Sequence, residues 1–327
     1  LIRGIDIKDG VTSIGIGAFC GCISLTSVII PGSVKTIGVN AFSGCKSLSN
    51  VRISEGVTSI GNYAFKECIV LEEITIPESV ETIGKEAFNS CPMLRMITIP
   101  QNVTVIGDYA FSNCIRLTEI NVDEGNTTYS SEDGVLFNEG KTELICYPAG
   151  KEGDYEVPSG VTGIADFAFS SRGEFFAVTI PVSVTTIGEE TFAGCENVNL
   201  IVEPGSKAHE FAKTNSIPYI FNGYNEAETA QIEKLIFTLN ADSESYSVTG
   251  CDTPISGELK IPATYNGKPV THIDETAFAY CLYLTSVTIP NSIVSIGYGA
   301  FRYCSSLEKL VLNEGLWEIS DYVFQGC

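Results

Sequence analysis

The stretch IGNYAFKECIVL, residues 60–71, contains the pattern that decides the fold. Phe65 follows Ile60 by five residues, Cys68 follows Phe65 by three, and Leu71 follows Cys68 by three. The same residue types return every 23 residues, with phenylalanines at Phe19, Phe42, Phe65, Phe88 and Phe111 and cysteines at Cys22, Cys45, Cys68, Cys91 and Cys114. The chain is therefore built from a repeated unit, V-x-I-P-x-x-V-x-x-I-G-x-x-A-F-x-x-C-x-x-L-x-x.

The unit returns after interruptions. Its later phenylalanines are Phe169, Phe192, Phe278, Phe301 and Phe324, which makes ten copies of the phenylalanine position in all. In the copy at Phe169, Arg172 replaces the cysteine and Phe175 takes the leucine position. The dense pattern and its regular spacing predict a repeat architecture over most of the chain.

Each unit predicts one coil of a solenoid. In the stretch SVIIP the apolar residues Val28 and Ile30 are two positions apart, which is the period of a strand with one buried face. Pro31 closes this strand. The spacing of three from phenylalanine to cysteine to leucine favours a short helical or 3₁₀ turn. One coil cannot bury its own apolar edge, so we expect the coils to stack with their repeated phenylalanines buried.

A glycine follows the repeated isoleucine in most units, as at Gly61. Such a glycine serves either a backbone with positive φ or a close approach between two backbones. The position is occupied by Ala165, Asp274 and Ser320 in other units. Because alanine does not suit a left-handed backbone, we favour tight packing between coils.

The interruptions define the predicted domains. DGVLFNEGKTELICYP, between Phe111 and Phe169, predicts a β-hairpin with its turn at 138–141. GSKAHEFAKTNSIPYIF predicts a short amphipathic helix capped by Ser206 and a final strand, together covering the end of an array. We predict a first array over 1–221, with a hairpin insert at about 123–157 and a cap at about 196–221. A linker with a possible helix follows over 222–245. The second array covers 246–327 and opens with a hairpin near 235–250. Since Leu1 and Cys327 lie within the repeat pattern, we expect a longer protein.

Charge and hydropathy exclude several classes of partner. The chain has 19 basic and 40 acidic residues, a formal net charge of −21. Nucleic acids and anionic membranes need clustered basic residues, so neither is a predicted partner. The sequence also lacks an apolar run long enough to span a membrane and a basic-then-apolar leader, so no membrane insertion is predicted within this chain.

The cysteines follow the repeat. Nine occupy its cysteine position: Cys22, Cys45, Cys68, Cys91, Cys114, Cys195, Cys281, Cys304 and Cys327. Metal ligands must converge on one point, whereas these residues form a column, so we favour reduced, buried cysteines. Disulfides between neighbouring coils are the alternative in an oxidising compartment. Cys20, Cys146 and Cys251 lie off the column and are better candidates for a disulfide or a reactive thiol, although burial is favoured there too.

Other residues with chemical potential do not form a recognisable site. His209 and His272 have no catalytic arrangement around them, and the acidic stretches at 123–134 and 240–245 do not match a calcium-binding loop. Asn102 and Asn126 fit the glycosylation sequon. We therefore predict no catalytic residue, no metal site and no cofactor, and hence a protein that is not an enzyme.

The units KTIGVNAFSGCKSL (35–48) and TSIGNYAFKECIVL (58–71) resemble the BspA-like leucine-rich repeat family. The stretches NTTYSSEDGVLFNEGKTELICYPAGK and EPGSKAHEFAKTNSIPY also resemble segments common in that family, and the likeness covers about 1–221 and 246–327. It implies an α/β-type repeat solenoid, a leucine-rich repeat right-handed superhelix with short strands, short helical or 3₁₀ turns and inserted β-hairpins. It offers no catalytic motif.

The resemblance also implies a function. Many members come from host-associated microbes, and some bind host matrix proteins or mediate adhesion. We therefore expect a monomeric, non-enzymatic binding or adhesion module of a secreted or cell-surface protein, with the export signal and anchor outside this chain. Its partner would be a protein or a glycan, with host matrix proteins among the protein partners. The alternative is a structural spacer that presents another domain.

The outward-facing side chains of the strands are the predicted binding face. Because their apolar neighbours point inward, these residues must point out. They comprise Ser27 and Ile29, Asn50 and Arg52, Glu73 and Thr75, Met96 and Thr98, and Glu119 and Asn121. The inserted hairpin, with Tyr129 and Phe137, is a second predicted contact site.

Overall fold

The computed structural model describes residues 2–173 and 176–327. Phe175, predicted to fill a leucine position, lies outside the described residues. Contacts divide the chain into two units, one of Leu1–Phe176 with Thr186–Val198 and one of Ala177–Thr185 with Asn199–Cys327. The three-part division drawn from the repeat pattern remains a prediction.

The elements follow the repeat closely. Those before the insert are β1 (Gly4–Asp6), β2 (Ser13–Ile14), β3 (Ser27–Ile30), β4 (Thr36–Ile37), β5 (Asn50–Ile53), β6 (Ser59–Ile60), β7 (Thr82–Ile83), β8 (Met96–Ile99), β9 (Val105–Ile106) and β10 (Glu119–Val122). Next come β11 (Tyr129–Glu132), β12 (Val135–Asn138), β13 (Glu143–Cys146), β14 (Tyr155–Glu156), β15 (Gly163–Ile164), β16 (Phe176–Ile180), β17 (Thr186–Ile187) and β18 (Val198–Val202). The last elements are α1 (Lys207–Thr214), β19 (Tyr219–Phe221), α2 (Glu226–Ile232), β20 (Leu235–Leu239), β21 (Tyr246–Cys251), β22 (Ser256–Lys260), β23 (Thr264–Tyr265), β24 (Lys268–Ile273), β25 (Tyr283–Thr288), β26 (Ser295–Ile296), β27 (Lys309–Val311) and β28 (Glu318–Ile319).

A regular coil contributes strands to two parallel sheets. The first strand is the predicted one: in β5 the side chains of Val51 and Ile53 are buried and those of Asn50 and Arg52 are exposed. The second is a two-residue strand at the repeated isoleucine, and these strands form the sheet β2-β4-β6-β7-β9. Two residues are too few for an alternating pattern, so this second sheet was not predicted from the sequence.

The segment between the isoleucine and the leucine is a series of turns, and the predicted helical or 3₁₀ turn is wrong in this detail. The Cys68 amide does donate to the Phe65 carbonyl over 3.3 Å, as in a 3₁₀ turn. However, Tyr63 and Glu67 have φ angles of 59° and 60°, which no right-handed helix allows. The Phe65 amide instead donates to the Ala87 carbonyl of the next coil at 2.8 Å, so the turns are tied from coil to coil.

The predicted column of buried phenylalanines is confirmed. Phe65 is fully buried, and its ring centre lies 5.3 Å from that of Phe42 and 5.6 Å from that of Phe88, with near-parallel planes. In the second unit Phe278 and Phe301 stack in the same way at 5.0 Å. The core of each array is therefore continuous along the stacking direction.

The packing role of the repeated glycine is confirmed as well. A Cβ atom on Gly61 would lie 2.7 Å from the carbonyl oxygen of Ile37 in the preceding coil, closer than real atoms approach. A Cβ atom on Gly15 would meet nothing within 4 Å among the described residues. Neither glycine has a positive φ, so close approach between backbones is the reason for the residue.

The insert is a three-stranded antiparallel meander. The predicted hairpin of β12 and β13 is confirmed, and the Asn138 carboxamide oxygen closes its turn by accepting hydrogen bonds from the amides of Thr142 and Glu143 at 2.8 and 2.9 Å. β11 adds a third strand that was not predicted, because the sequence YSSE lacks alternating apolar residues. β13 also pairs in parallel with β15, which joins the insert to the coils that follow.

An unexpected residue continues the phenylalanine column beyond the insert. The Tyr147 ring stacks on Phe169 at 5.3 Å, and its amide donates to the Ala168 carbonyl at 2.7 Å, as a repeat phenylalanine would. Arg172, in place of the cysteine, is buried with its guanidinium 4.8 Å from the centre of the Tyr147 ring and 3.9 Å from that of Phe176. Cation–π contacts thus replace the small cysteine in this coil.

The segment predicted to cap the first array contains the expected helix and strand. The Ser206 side chain accepts a hydrogen bond from the His209 amide at 3.2 Å, which confirms the predicted N-cap of α1. The helix buries Ala208, Phe211 and Ala212, and β19 pairs in parallel with β18. β20 and β21 form the predicted antiparallel hairpin, and β21 passes into the parallel sheet β21-β24-β26-β28.

Candidate functional site

The predicted strand face exists as two parallel rows of outward side chains. Register places Ser27 beside Asn50 and Ile29 beside Arg52, and an isolated bridge joins Arg52 to Thr75. The last rungs pair Met96 with Glu119 and Thr98 with Asn121. We call these ten residues, from Ser27 and Ile29 to Glu119 and Asn121, the ladder face.

The ladder face is exposed and polar. The side chains of Asn50, Arg52, Glu73, Thr75, Met96, Thr98 and Glu119 are all exposed, and that of Asn121 is half-buried. Asn121 donates a hydrogen bond to the Glu119 carboxylate at 3.2 Å. The face therefore offers mixed charge, hydrogen-bonding groups and two apolar side chains, Ile29 and Met96, on backbone held in register.

The hairpin of β11 and β12 closes one end of the ladder face. The Ile120 amide donates to the Gly134 carbonyl at 2.9 Å, and the Val122 amide donates to the Ser131 hydroxyl at 3.0 Å. An open cleft of about 610 Å³ lies at this junction, lined by Thr118, Glu119, Asn121, Ser131, Asp133, Gly134, Gly150, Lys151 and Glu152. The structure thus brings two of the predicted residues, Glu119 and Asn121, together with groups that the sequence did not single out.

Charges in the cleft are mostly acidic. Lys151 pairs with Asp133 at 2.9 Å, and the Asp133 side chain remains 81% exposed. Glu119 and Glu152 add two carboxylates to the lining. A ligand that fills this cleft would meet one lysine among several acceptors, which favours hydroxyl, amide or ammonium groups over anions. Sequence reasoning missed Lys151 and Asp133 because the meander brings them to the ladder only in three dimensions.

The two aromatic residues of the hairpin differ in exposure, and the prediction of a contact site is wrong for Phe137. Phe137 is 1% exposed and packs inside the insert. Tyr129 is half-buried, and its hydroxyl accepts a hydrogen bond from the Ile106 amide at 2.9 Å. The Tyr129 hydrogen bond ties the insert to β9, and Phe137 is buried together with Val135 and Leu136 of β12.

The cysteine column is structural. In the described chain seven of the nine column thiols donate to the carbonyl of the repeat phenylalanine 26 residues earlier, as from Cys68 to Phe42 at 3.4 Å and from Cys91 to Phe65 at 3.2 Å. Burial raises the pKa of the Cys45 thiol to about 11 and that of Cys114 to about 12. These groups stay protonated at neutral pH and are poor nucleophiles.

The cysteines off the column differ from one another. All twelve cysteines are free thiols. Cys20 is exposed, whereas burial raises the pKa of Cys146 to about 12 and that of Cys251 to about 11. Cys146 and Cys251 are therefore not activated thiols, and Cys20 alone of the three has the exposure that a reactive thiol needs.

Both histidines have structural contacts. His209 Nδ1 accepts from the Gly205 amide at 3.0 Å, so its Nε2 carries the proton that points to the Glu233 carboxylate 2.6 Å away. His272 Nδ1 lies 2.8 Å from the Thr271 hydroxyl. In the described ranges 2–173 and 176–327, histidine, cysteine and carboxylate side chains nowhere gather in a group that would hold a metal ion.

One of the two sequons is not available for modification. Asn126 is 9% exposed, and its Nδ2 donates to the carbonyls of Pro100 and Val103 at 2.8 and 3.1 Å. Its amide nitrogen is thus committed to closing the turn of the preceding coil. Asn313 makes the equivalent pair of bonds in the second unit, to Pro290 and Ile293.

The helices of the described chain are too short and too polar for a membrane span. The longer of them, α1, has eight residues.

Comparison with known proteins identifies the family. The model of the BspA type leucine-rich repeat region matches in six copies over residues 2–133, 153–242 and 265–327. The crystal structure of a leucine-rich repeat protein from Eubacterium ventriosum is similar at 23% identity with a TM-score of 0.53, over 99% of this chain and 82% of that one. A leucine-rich cell surface protein from Faecalibacterium prausnitzii matches at 26% identity and a TM-score of 0.45, over 94% and 86%. No curated protein matches. With its stacked 23-residue coils and this family match over most of its length, the chain belongs to the BspA-type leucine-rich repeat family.

Proposed function

We propose that this chain is a non-enzymatic binding or adhesion module of a secreted or cell-surface protein, and that it recognises a protein or glycan through the ladder face. One observation supports this most: exposed polar side chains form an outward row over successive coils, in register from Ser27 to Thr75 and again from Met96 to Asn121, and the row ends in a cleft. Repeat solenoids use such extended faces to bind partners.

The partner chemistry follows from the residues. The row is mostly short and polar, with Arg52 as its cation and Glu73 and Glu119 as its anions. Such a surface suits a partner with many hydrogen-bonding groups and little apolar area, which describes glycans and the polar surfaces of matrix proteins. The partner would contact several coils at once, since no single rung offers an aromatic anchor.

The test is a binding screen of the purified chain against host matrix proteins and a glycan panel. The ladder variant Arg52→Glu with Glu73→Lys reverses two charges on the face and leaves the net charge unchanged. Its matched control, Lys46→Glu with Glu81→Lys, makes the same exchange at exposed positions off the face. We expect the ladder variant to lose binding and the control to retain it.

Binding by the ladder variant as strong as that of the natural chain would show that the ladder face is not the binding surface. The second function is a structural spacer, which the continuous stack of phenylalanine rings favours because it stiffens the coils. A screen without any ligand would support the spacer. This proposal includes an extracellular or cell-surface location, which antibody labelling of intact cells compared with lysed cells would test. It also includes a monomeric state, which light scattering of the purified chain would test.

A further inference from the structure

The insert continues the stack with a coil that is two residues short. Leu144 takes the isoleucine position, because it pairs in register with Ile164 of the next coil. Tyr147 takes the phenylalanine position, because its ring stacks on that of Phe169 at 5.3 Å. Five residues separate these positions from Ile164 to Phe169, whereas three separate them from Leu144 to Tyr147. Two residues of backbone are therefore missing from the coil that the insert supplies.

A cavity of about 280 Å³ lies where those two residues would be, and we call it the insert cavity. Its lining comes from 106–112 of the coil before the insert, from 165–167 of the coil after it, and from β12 and β13 of the insert. At about 30 Å³ for each molecule, this space would hold roughly nine waters. The voids of a well-packed interior are much smaller, so the insert cavity has room for a ligand.

Two backbone amides beside the insert cavity lack the acceptors that their position in the repeat usually has. In regular coils these amides donate to carbonyls of the next coil, as those of Tyr63 and Phe88 do at 2.8 and 2.9 Å. The amides of Tyr109 and Phe111, at the same two positions, have no acceptor within the described chain. Phe111 is 4% exposed, and a buried amide without an acceptor is rare in folded proteins. The insert cavity thus offers hydrogen-bond donors to a ligand.

The floor of the insert cavity is apolar. The side chains of Ala110, Phe111 and Leu136 line it and are buried. Ala165, which takes the place of the repeated glycine in the following coil, lines it as well. A Cβ atom is tolerated at Ala165 because the shortened coil leaves room for it, whereas a Cβ atom on Gly61 would meet backbone. An apolar group of a ligand would therefore be buried here.

The rim of the insert cavity is acidic. Asp108, Glu143 and Asp166 line the cavity and are exposed, so its opening lies on their side. Lys85 is near, with its ammonium 5.4 Å from the centre of the Tyr109 ring, but it does not line the cavity. Because the described lining holds carboxylates and no basic residue, the rim attracts a cation and repels an anion.

We propose that the insert cavity binds the amino terminus of a peptide whose first residue has an apolar side chain. That side chain fills the floor, and the ammonium group meets the carboxylates of the rim. Carbonyl oxygens of the peptide accept from the amides of Tyr109 and Phe111, as the missing coil residues would. This site is separate from the ladder face and goes beyond the function proposed for it.

Other classes of ligand match only part of the insert cavity. A fatty acid would fill the floor but bring a carboxylate to the acidic rim, and an alkylamine would leave both amides without an acceptor. A neutral sugar would place hydroxyl groups against the apolar floor. The first residue of a peptide carries an apolar side chain, an ammonium group and a carbonyl close together, so it matches the floor, the rim and the amides at once.

The test titrates the whole chain with leucyl-alanyl-alanine amide, whose amidated end brings no carboxylate, and follows binding by calorimetry. We expect saturable binding. The N-acetylated peptide keeps the side chain and the carbonyls but lacks the charge, and we expect it to bind about tenfold or more weakly, as for the loss of hydrogen bonds to a charged group. Isopentylamine keeps the leucine side chain and the ammonium group without the carbonyl, and it should bind several-fold more weakly than the peptide.

The decisive variant is Ala165→Leu, which fills the insert cavity and should abolish binding. Its matched control, Ala18→Leu, adds the same bulk at an exposed position of the first coil and should leave the affinity unchanged. Unchanged far-UV circular dichroism and thermal midpoint verify that both variants fold. A second variant, Asp108→Asn with Glu143→Gln, removes two exposed charges from the rim and should weaken binding of the free-amine peptide but not of the acetylated one.

Alkylation of single thiols locates the bound peptide. Cys146 lines the insert cavity, so a saturating concentration of the peptide should slow its alkylation, whereas exposed Cys20 should keep its rate. The ladder variant Arg52→Glu with Glu73→Lys should bind the peptide normally, which separates a failure of the ladder proposal from a failure of this one. Absent binding by the natural chain overturns the proposal, as do equal binding by folded Ala165→Leu, equal binding of isopentylamine, or an unchanged rate at Cys146.

Discussion

Two glycines at the same position of the repeat should respond in opposite ways to the same substitution. A Cβ atom at Gly61 would lie 2.7 Å from the Ile37 carbonyl oxygen and 2.8 Å from the Gly38 carbonyl carbon. A Cβ atom at Gly15 would meet nothing within 4 Å. Gly61→Ala must therefore push two coils apart, whereas Gly15→Ala only reduces the freedom of the unfolded chain.

The expected magnitudes follow from this geometry. Overpacking of this kind costs about 1–3 kcal/mol of unfolding free energy. Ser320 occupies the equivalent position in a later unit, so a Cβ atom is tolerated where the coils can adjust. We therefore expect Gly61→Ala to lower the free energy of unfolding by about 1–2 kcal/mol. For Gly15→Ala we expect no loss, or a gain of about 0.4–1 kcal/mol.

The assay is urea unfolding followed by circular dichroism, with both variants compared to the natural chain. Hydrogen exchange adds a local readout, because the Gly61 amide donates to Ile37 at 2.8 Å and this bond should weaken in Gly61→Ala. Equal midpoints for Gly15→Ala and Gly61→Ala would refute the conclusion that close approach between coils selects glycine. A larger loss for Gly15→Ala would refute it as well.

Further predictions concern the core, the capping segment and the thiols. Phe65→Ala should cost about 3–5 kcal/mol, because its ring is fully buried between two others; an unchanged thermal midpoint would contradict this. Burial disfavours the charged form of Glu233, but hydrogen bonds from His209 and Lys213 outweigh it and hold the pKa at about 2 against an ordinary 4.5. The carboxylate therefore adds stability above about pH 4.5 that is lost as pH falls towards 2, so acid should destabilise the natural chain more than Glu233→Gln. In thiol labelling without reductant, the exposed Cys20 and Cys327 should react first in the folded chain, and all twelve cysteines should react after denaturation; fewer than twelve would indicate disulfides.

The sequence by itself determined the period, the coil and the residues that stack. A solenoid stacks each residue on its counterpart one repeat away, so the period of the sequence predicts which residues are in contact. This is why Phe65, Cys68 and Leu71 could be placed in buried columns. The family followed from the same units. Even the reason for Gly61 was predictable, since Ala165 at the equivalent position argued against a left-handed backbone.

Non-repeating contacts were decided only by the tertiary structure. Tyr147 joins the phenylalanine column because the meander of the insert delivers it there, although no 23-residue spacing marks it. The cleft at the end of the ladder face joins Glu119 to Asp133 and Lys151 through backbone hydrogen bonds between the insert and β10. Pattern analysis also placed Phe137 outside, whereas burial in the insert decided the opposite.

One physical reason explains why the stacking contacts could be predicted from the sequence and the other contacts could not. Periodic residues make contacts at a fixed sequence distance, so their environment can be read from one unit and transferred to the next. Glu119, Asp133 and Lys151 line one cleft without any fixed sequence spacing between them, and only the folded insert brings them together. Stacking thus follows from the residues that repeat in this chain, whereas the cleft is formed mainly by residues that do not repeat.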